Sequence, residues 1–351
     1  MTTLNLPTIS LHERPTTPSV YATDEPAHDA YGRRIDYLRI SLTDRCNMRC
    51  VYCMPATGAQ FMMKPELLTT NELLLVVRAA AAAGFRKIRL TGGEPSLRSD
   101  LVDLVREMKA TGGIEHIAMT TNALMLKKQA RALKDAGLDR VNISIDSLDP
   151  QKFRQLTRGG NLERVWEGIQ EAEAVGLRPI KLNAVIVRGL NDDEVVRLAE
   201  LTLDMPWEMR FIEVMPLTGV ADVANDGVVK TEELIAKIAA VHGAMEHLGL
   251  AASDSARRYR IPGAKGRLGF ISAVSDPFCA TCNRMRLTAD GKLHLCLLRD
   301  DEVDLRAALR SGASVQEIEQ IIRHAVAIKP WGHGLPEGVL PTVRGMSALG
   351  G

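Results

Sequence analysis

Tyr37-Leu-Arg-Ile-Ser-Leu-Thr-Asp-Arg-Cys46-Asn-Met-Arg-Cys50-Val-Tyr-Cys53 is the stretch from which the rest of this chain is read. Its first seven residues alternate as an extended strand does: Tyr37, Arg39, Ser41 and Thr43 share one face, and Leu38, Ile40 and Leu42 the other. Its last eight residues hold three cysteines at C-x3-C-x2-C spacing. Structural zinc takes four protein ligands, usually as pairs, so this run suits it poorly. A cubane iron–sulfur cluster is normally held by four cysteines, and three leave one iron open to a further ligand.

Outward from that strand the pattern repeats. Residues 87–91, 115–121, 140–146, 180–187 and 208–215 read as strands, with amphipathic helices near 70–83, 99–110, 125–136, 161–175 and 192–204. Strands alternating with helices predict a parallel sheet, and six such units predict an α/β fold of the incomplete (β/α)6 barrel type. No Gly-x-Gly-x-x-Gly follows the first strand, which weakens a dinucleotide-binding reading. A parallel sheet covered by helices on both faces should be apolar throughout. Here Arg39, Lys87, Arg89, Asn142, Ser144, Asp146, Lys181 and Asn183 all fall on one face of their strands, opposite an apolar face. That alternation predicts a curved sheet around a wet, charged cavity. The sixth strand, with charges on both faces, is ambiguous. The three cysteines follow the first strand, at the carboxyl mouth where such folds place their sites. Thr91-Gly-Gly93-Glu94-Pro95 ends the second, with glycines that allow close backbone approach and a carboxylate suited to an ammonium group.

Across 351 residues the net charge is +1 and aromatics are 4% of the chain, so no overall field or stacking surface invites nucleic acid. No run approaches a membrane span and no signal-like segment opens the chain, so a cytoplasmic protein is expected. Residues 1–30 read as a disordered extension, 31–216 as the strand–helix core, 217–328 as a C-terminal region with helices near 231–242, 302–311 and 314–327, and 329–351 as a Gly/Pro-rich tail. The other three cysteines, Cys279, Cys282 and Cys296, form a C-x2-C-x13-C set. Alone, it is three-quarters of a zinc ribbon, and His294 keeps zinc open as a reading. Arg284 and Arg286 share one side of a strand beside Cys282. His324, Trp331 and His333 read as packing residues.

The first triplet with Gly92-Gly93-Glu94-Pro95 resembles the radical S-adenosylmethionine superfamily. With Tyr37–Cys46, Ile88–Pro95, Cys282-Asn-Arg284-Met285-Arg286 and the terminal Gly350-Gly351, the resemblance narrows to the molybdenum cofactor biosynthesis protein A family, the GTP 3′,8-cyclases. It implies two [4Fe–4S] clusters, one on Cys46, Cys50 and Cys53 and one on Cys279, Cys282 and Cys296. S-adenosylmethionine would chelate the open iron of the first and yield a 5′-deoxyadenosyl radical; guanine would bind the open iron of the second. The resemblance places Tyr52, Gly93, Glu94, Ser144 and Met215 at S-adenosylmethionine, and Arg39, Arg89, Thr120, Lys181, Arg284, Met285 and Arg286 at GTP. It brings Gly350 and Gly351 into the active site. It further implies a flavodoxin or ferredoxin as electron donor and cyclic pyranopterin monophosphate synthase as the next enzyme, with monomer and homodimer both open. A twin-cluster peptide-modifying maturase and a zinc-stabilised nucleic-acid-binding module are the competing readings. Asp146 offers itself as an internal partner for the inward cations.

Overall fold

The computed structural model describes residues 25–350 apart from 56, 219, 221–222, 224–226 and 250–253. Six strands appear where the alternation placed them: β1 (Tyr37–Ser41), β2 (Lys87–Thr91), β3 (His116–Thr121), β4 (Arg140–Ser144), β5 (Lys181–Ile186) and β6 (Glu208–Glu213). Adjacent pairs among them are all parallel. The crossovers are α1 (Thr70–Ala82), α2 (Leu101–Ala110), α3 (Leu126–Asp135), the pair α4 (Pro150–Thr157) and α5 (Leu162–Ala174), and α6 (Val195–Asp204). Local chemistry fixes their starts. Thr69 and Glu72 form a capping box at α1, and the Asn161 side chain accepts from Arg164 N at α5. The short α4 was not expected from periodicity, yet Asp149 caps it through Gln151 N and Lys152 N, and Pro150 opens its first turn.

The C-terminal region does not form a separate layer. After α7 (Thr231–His242) come β7 (Glu246–His247), β8 (Arg257–Arg260), β9 (Arg267–Ile271), β10 (Arg284–Leu287), β11 (Lys292–His294) and β12 (Glu302–Asp304). They join the same sheet at both sides, in the order β12-β11-β10-β1-β2-β3-β4-β5-β6-β9-β8-β7. β10 runs parallel to β1 and β9 parallel to β6, so eight neighbouring strands are parallel. Strands from both sides of residue 216 therefore belong to one sheet. The helix expected over 302–311 is shortened to α8 (Arg306–Arg310), because Glu302–Asp304 pairs antiparallel with β11. Helix α9 (Val315–Ala327) follows, opened by a Ser314/Glu317 capping box, and α10 (Met346–Leu349) ends the described chain.

The register separates the two faces of the sheet. Leu38, Ile88 and Ile117 are paired neighbours, as are Ile143, Leu182, Met209 and Leu268, and all lie in the apolar core under the helices. Residues 25–30 belong to the fold rather than to an extension: Ala27 N donates to Ala83 O at 2.9 Å, and buried Asp29 holds Arg33 at 2.6 Å. The remainder of the expected extension, 1–24, lies outside the described residues.

Candidate active site

The polar face opens onto a cavity of about 280 Å³. Its walls come from all eight parallel strands: Arg284 and Arg286 of β10, Arg39 of β1, Arg89 of β2, Thr120 of β3, Asn142 and Ser144 of β4, Asn183 of β5, Arg210 of β6 and Ile271 of β9. One cavity can touch eight adjacent strands, spaced about 4.8 Å apart, only if the sheet curves around it. The sequence-level alternation is thereby explained.

Register then sets the charges in rows. Arg286 pairs with Arg39, and Arg39 with Arg89, so three guanidinium groups stand abreast. All three residues are buried or nearly so, and the charged neighbours acting most strongly on Arg39 are Arg286 and Arg89. Burial, then those like charges, hold Arg39 well below the usual arginine range; burial and Arg284 bring Arg286 to about 10. Tyr37 lies between two of them, with its ring 5.8 Å from the Arg39 guanidinium and 5.5 Å from that of Arg89. Nε of Arg39 and of Arg89, Oγ1 of Thr120 and both side-chain polar atoms of Asn142 have no hydrogen-bond partner among the described residues. Buried polar groups are normally paired, so the row is built to receive an anion with many acceptor oxygens.

Cys46, Cys50, Cys53, Cys279, Cys282 and Cys296 are all free thiols and all line this cavity. The first three follow the carboxyl end of β1. Cys282 precedes the amino end of the parallel neighbour β10, and His294↔Arg286 pairing brings the end of β11, and hence Cys296, back to the same level. The triplets thus sit at opposite ends of the strands, roughly 20 Å apart by the rise per residue. Burial pushes the Cys53 thiol up to about 12, so a bare thiolate is disfavoured there. At Cys282 burial acts in the same direction, but Lys329 and Arg284 outweigh it and hold the thiol below its ordinary value. The chain closes tightly around the sulfurs: a Cβ on Gly332 would stand 3.0 Å from Cys279 Sγ. Among the described residues no three His, Cys, Asp or Glu side chains gather closely enough to hold a single metal ion. The fit to iron–sulfur clusters rests on the donor set and these walls.

Comparison with known proteins agrees with this geometry. Residues 40–202 match the family model of the radical SAM superfamily, and residues 207–335 that of Molybdenum Cofactor Synthesis C. The chain is 48% identical to a GTP 3′,8-cyclase of Pelotomaculum thermopropionicum over 324 residues, 92% of this chain and 99% of that protein. It is 46% identical to one from Moorella thermoacetica, again over 92% and 99%. The chain belongs to the GTP 3′,8-cyclase family of the radical SAM superfamily. In fold it is similar to Streptococcus suis SuiB bound to S-adenosylmethionine, with a TM-score of 0.55 at 15% identity over 81% of this chain and 67% of that one.

Within this radical SAM fold the expected residues mostly meet. Tyr52, Gly93, Ser144 and Met215 line the cavity near the first triplet, as Arg39, Arg89, Thr120, Arg284 and Arg286 line it between the triplets. Gly92 and Gly93 lie against the β1 loop so closely that a Cβ on Gly93 would stand 2.1 Å from Arg45 O. Gly350 reaches the cavity: its carbonyl accepts from Arg286 Nη1 at 2.6 Å, and a Cβ on it would meet Thr91 Cγ2 at 2.5 Å. Gly351 lies outside the described residues.

Three expected residues stand differently from the others. Glu94 borders the cavity, with Oε1 accepting from Ser96 N, Ser96 Oγ and Thr121 Oγ1 at 2.5–3.1 Å and Oε2 from Asn122 N at 2.8 Å. It therefore braces the mouths of β2 and β3 through Oε1, and Oε2 keeps an acceptor position. Met285 pairs with Leu38 and faces the apolar core, so its side chain cannot contact a ligand in the cavity. Lys181 lies on the polar face below Asn183 but does not line the cavity; its Nζ is 3.7 Å from Glu208. Glu208 and Asp254 there face Lys181, Arg210, Arg258 and Arg267. In that cation-rich group, burial and Arg210 outweigh Glu208 and lower Lys181 to about 7.

Asp146 is not the partner of the inward cations. It accepts from Tyr52 Oη at 2.7 Å and Val185 N at 2.9 Å, and burial raises it to about 6. Residues that pattern reasoning missed include Asn122, whose Nδ2 donates to Asn47 Oδ1 at 2.7 Å beside Cys46, and Phe278, whose ring lies 4.8 Å from the Arg284 guanidinium. Asn122 follows β3 at the carboxyl mouth, a position that carries function in parallel α/β folds and could have flagged it. Phe278 had no such signal.

Proposed function

We propose that this protein is the GTP 3′,8-cyclase of molybdenum cofactor biosynthesis, converting GTP to 3′,8-cyclo-7,8-dihydro-GTP within an incomplete (β/α)6 barrel. The carrying observation is the row of Arg286, Arg39 and Arg89 standing between two cysteine triplets in one cavity. Cys46, Cys50 and Cys53 would hold the cluster that reduces S-adenosylmethionine, supplying a radical able to take a hydrogen atom from the ribose C3′. Cys279, Cys282 and Cys296 would hold a second [4Fe–4S] cluster at the far end, next to Arg284. The chain's own contribution is to span that distance with substrate. Arg39, Arg89 and Arg286 would bind the triphosphate oxygens, which fixes the ribose between the two ends. Tyr52, anchored to Asp146, and the glycine pair Gly92-Gly93 would bound the cofactor by close backbone approach. Gly350 would close the cavity where a side chain has no room, excluding water from an open-shell intermediate.

A cytoplasmic setting, a flavodoxin- or ferredoxin-type donor and a downstream cyclic pyranopterin monophosphate synthase accord with this reading; among the described residues no helix is long and apolar enough to cross a membrane. The test is an anaerobic assay with GTP, S-adenosylmethionine and dithionite. Formation of 5′-deoxyadenosine and cyclised nucleotide in parallel is expected. Cleavage of S-adenosylmethionine without any nucleotide product, under conditions where both clusters are filled, would overturn it.

A further inference from the structure

The tail reaches the cavity only after being pinned to the β10–β12 hairpin. Asp300 accepts from Thr342 N at 2.8 Å, Thr342 Oγ1 at 3.0 Å and Val343 N at 3.2 Å. The next residue, Arg344, is held by two carboxylates at once. Its Nη1 and Nη2 take Asp290 at 3.1 and 2.9 Å, and its Nη2 and Nε take Glu302, the former at 3.1 Å. The three side chains are 12%, 12% and 18% exposed, so solvent screens the pairs only weakly. Asp290 lies in the turn between β10 and β11, and Glu302 opens β12. The same hairpin carries Arg284 and Arg286 into the cavity. Six residues beyond Arg344 stands Gly350. Between them, Leu349 packs on Leu217, Val220 and Leu298 in a cluster detached from the main core.

We propose that Arg344 is a positioning residue: its fork across Asp290 and Glu302 sets where Gly350 stands relative to Arg286, and so governs how closely cofactor cleavage is coupled to nucleotide cyclisation. This rests on the reading of the cavity given above. A planar guanidinium bonded on two edges fixes direction as well as distance. Without it, the ordering of the last turn and Gly350 depends on the small Leu349 cluster and one bond from Arg286 to Gly350, against the conformational entropy of the segment.

The experiment compares Arg344→Gln and Arg344→Lys with the full-length protein in two measurements. Amide hydrogen exchange over 345–350 is read without GTP, and the ratio of cyclised nucleotide to 5′-deoxyadenosine is read with it. Arg344→Gln should speed tail exchange and lower the ratio, each by about tenfold or more, the scale of one lost charge-assisted hydrogen bond. Arg344→Lys, which keeps the charge and loses the fork, should fall between. Unchanged tail exchange overturns the proposal, as does faster exchange with an unchanged ratio. Protection lost equally across β10 and α9 also overturns it, because Arg344 would then merely hold the fold. Failure of the unaltered protein to cyclise GTP would sink the proposed function and the coupling that rests on it, while the exchange measurement, which needs no substrate, would still decide whether Arg344 positions the tail.

Discussion

Arg39, Arg89 and Arg286 stand abreast on neighbouring strands, and that arrangement is costly without an anion. Like charges directly opposite in a sheet are destabilising, and burial weakens the screening that would relieve them. Function and stability therefore oppose each other at these positions, as they commonly do in binding sites. Arg89→Met makes the opposition measurable, because methionine keeps most of the volume and removes the charge. Without nucleotide, the variant should be more stable than the parent by about 0.5–1 kcal/mol, read from thermal unfolding. Its KM for GTP should rise by about 10–100-fold, from the loss of a charge-assisted contact worth roughly 1.5–3 kcal/mol. A less stable variant with an unaltered KM would make Arg89 a packing residue. The pairing of charge with strand face was legible in the sequence, since Arg39, Arg89, Asn142, Ser144 and Asn183 alternate with apolar residues and all line the cavity. The fate of each polar group was not. Glu94 and Lys181 look like free ligands in a linear sequence, and only folding brings Ser96, Thr121 and Asn122 to one and Glu208 to the other.

At the scale of elements, long amphipathic helices and six strands were readable because their periods of 3.6 and 2 persist over several turns. Helix α4 has eight residues and β12 three, too few for a period to emerge. The tail is the opposite case: Gly350 is informative only through what surrounds it. Its φ of +73° is one that L side chains rarely adopt, and Thr91 Cγ2, Thr91 Oγ1 and Gly92 N leave no space for a Cβ. Gly350→Ala should therefore displace the end of the chain rather than unfold it, because α10 docks through Leu349 on a small satellite cluster. The expected outcome is 5′-deoxyadenosine formation with cyclised nucleotide reduced by at least about 100-fold, a loss of roughly 2.7 kcal/mol of transition-state stabilisation. Thermal unfolding within about 1 kcal/mol of the parent would show that the body of the fold is intact. Full cyclisation by this variant would reduce the terminal glycines to a frayed end.

For the whole molecule, the decisive feature is that C-terminal strands complete a sheet begun by the N-terminal ones. β10 lies beside β1 and parallel to it, so a segment that follows Cys282 enters at the end of the sheet opposite the one Cys46 leaves. Nothing in the spacing of either triplet foretells this, because it depends on pairing between residues some 250 positions apart. The consequence is a division of labour by position. On the function proposed above, chemistry that starts at Cys46, Cys50 and Cys53 acts on a molecule anchored from the other end, across the arginine row. Removing one ligand at either end tests that division with the same measurements. An anaerobically reconstituted protein with two cubanes should carry about eight irons, and Cys282→Ala about four. The variant should still cleave S-adenosylmethionine without coupling, while cyclisation is lost because the base has no anchor. Cys50→Ala should fail at the earlier step and make no 5′-deoxyadenosine. Zinc in place of the second four irons, or cyclisation surviving in Cys282→Ala, would leave the arginine row without its second anchor and return the far triplet to a structural role.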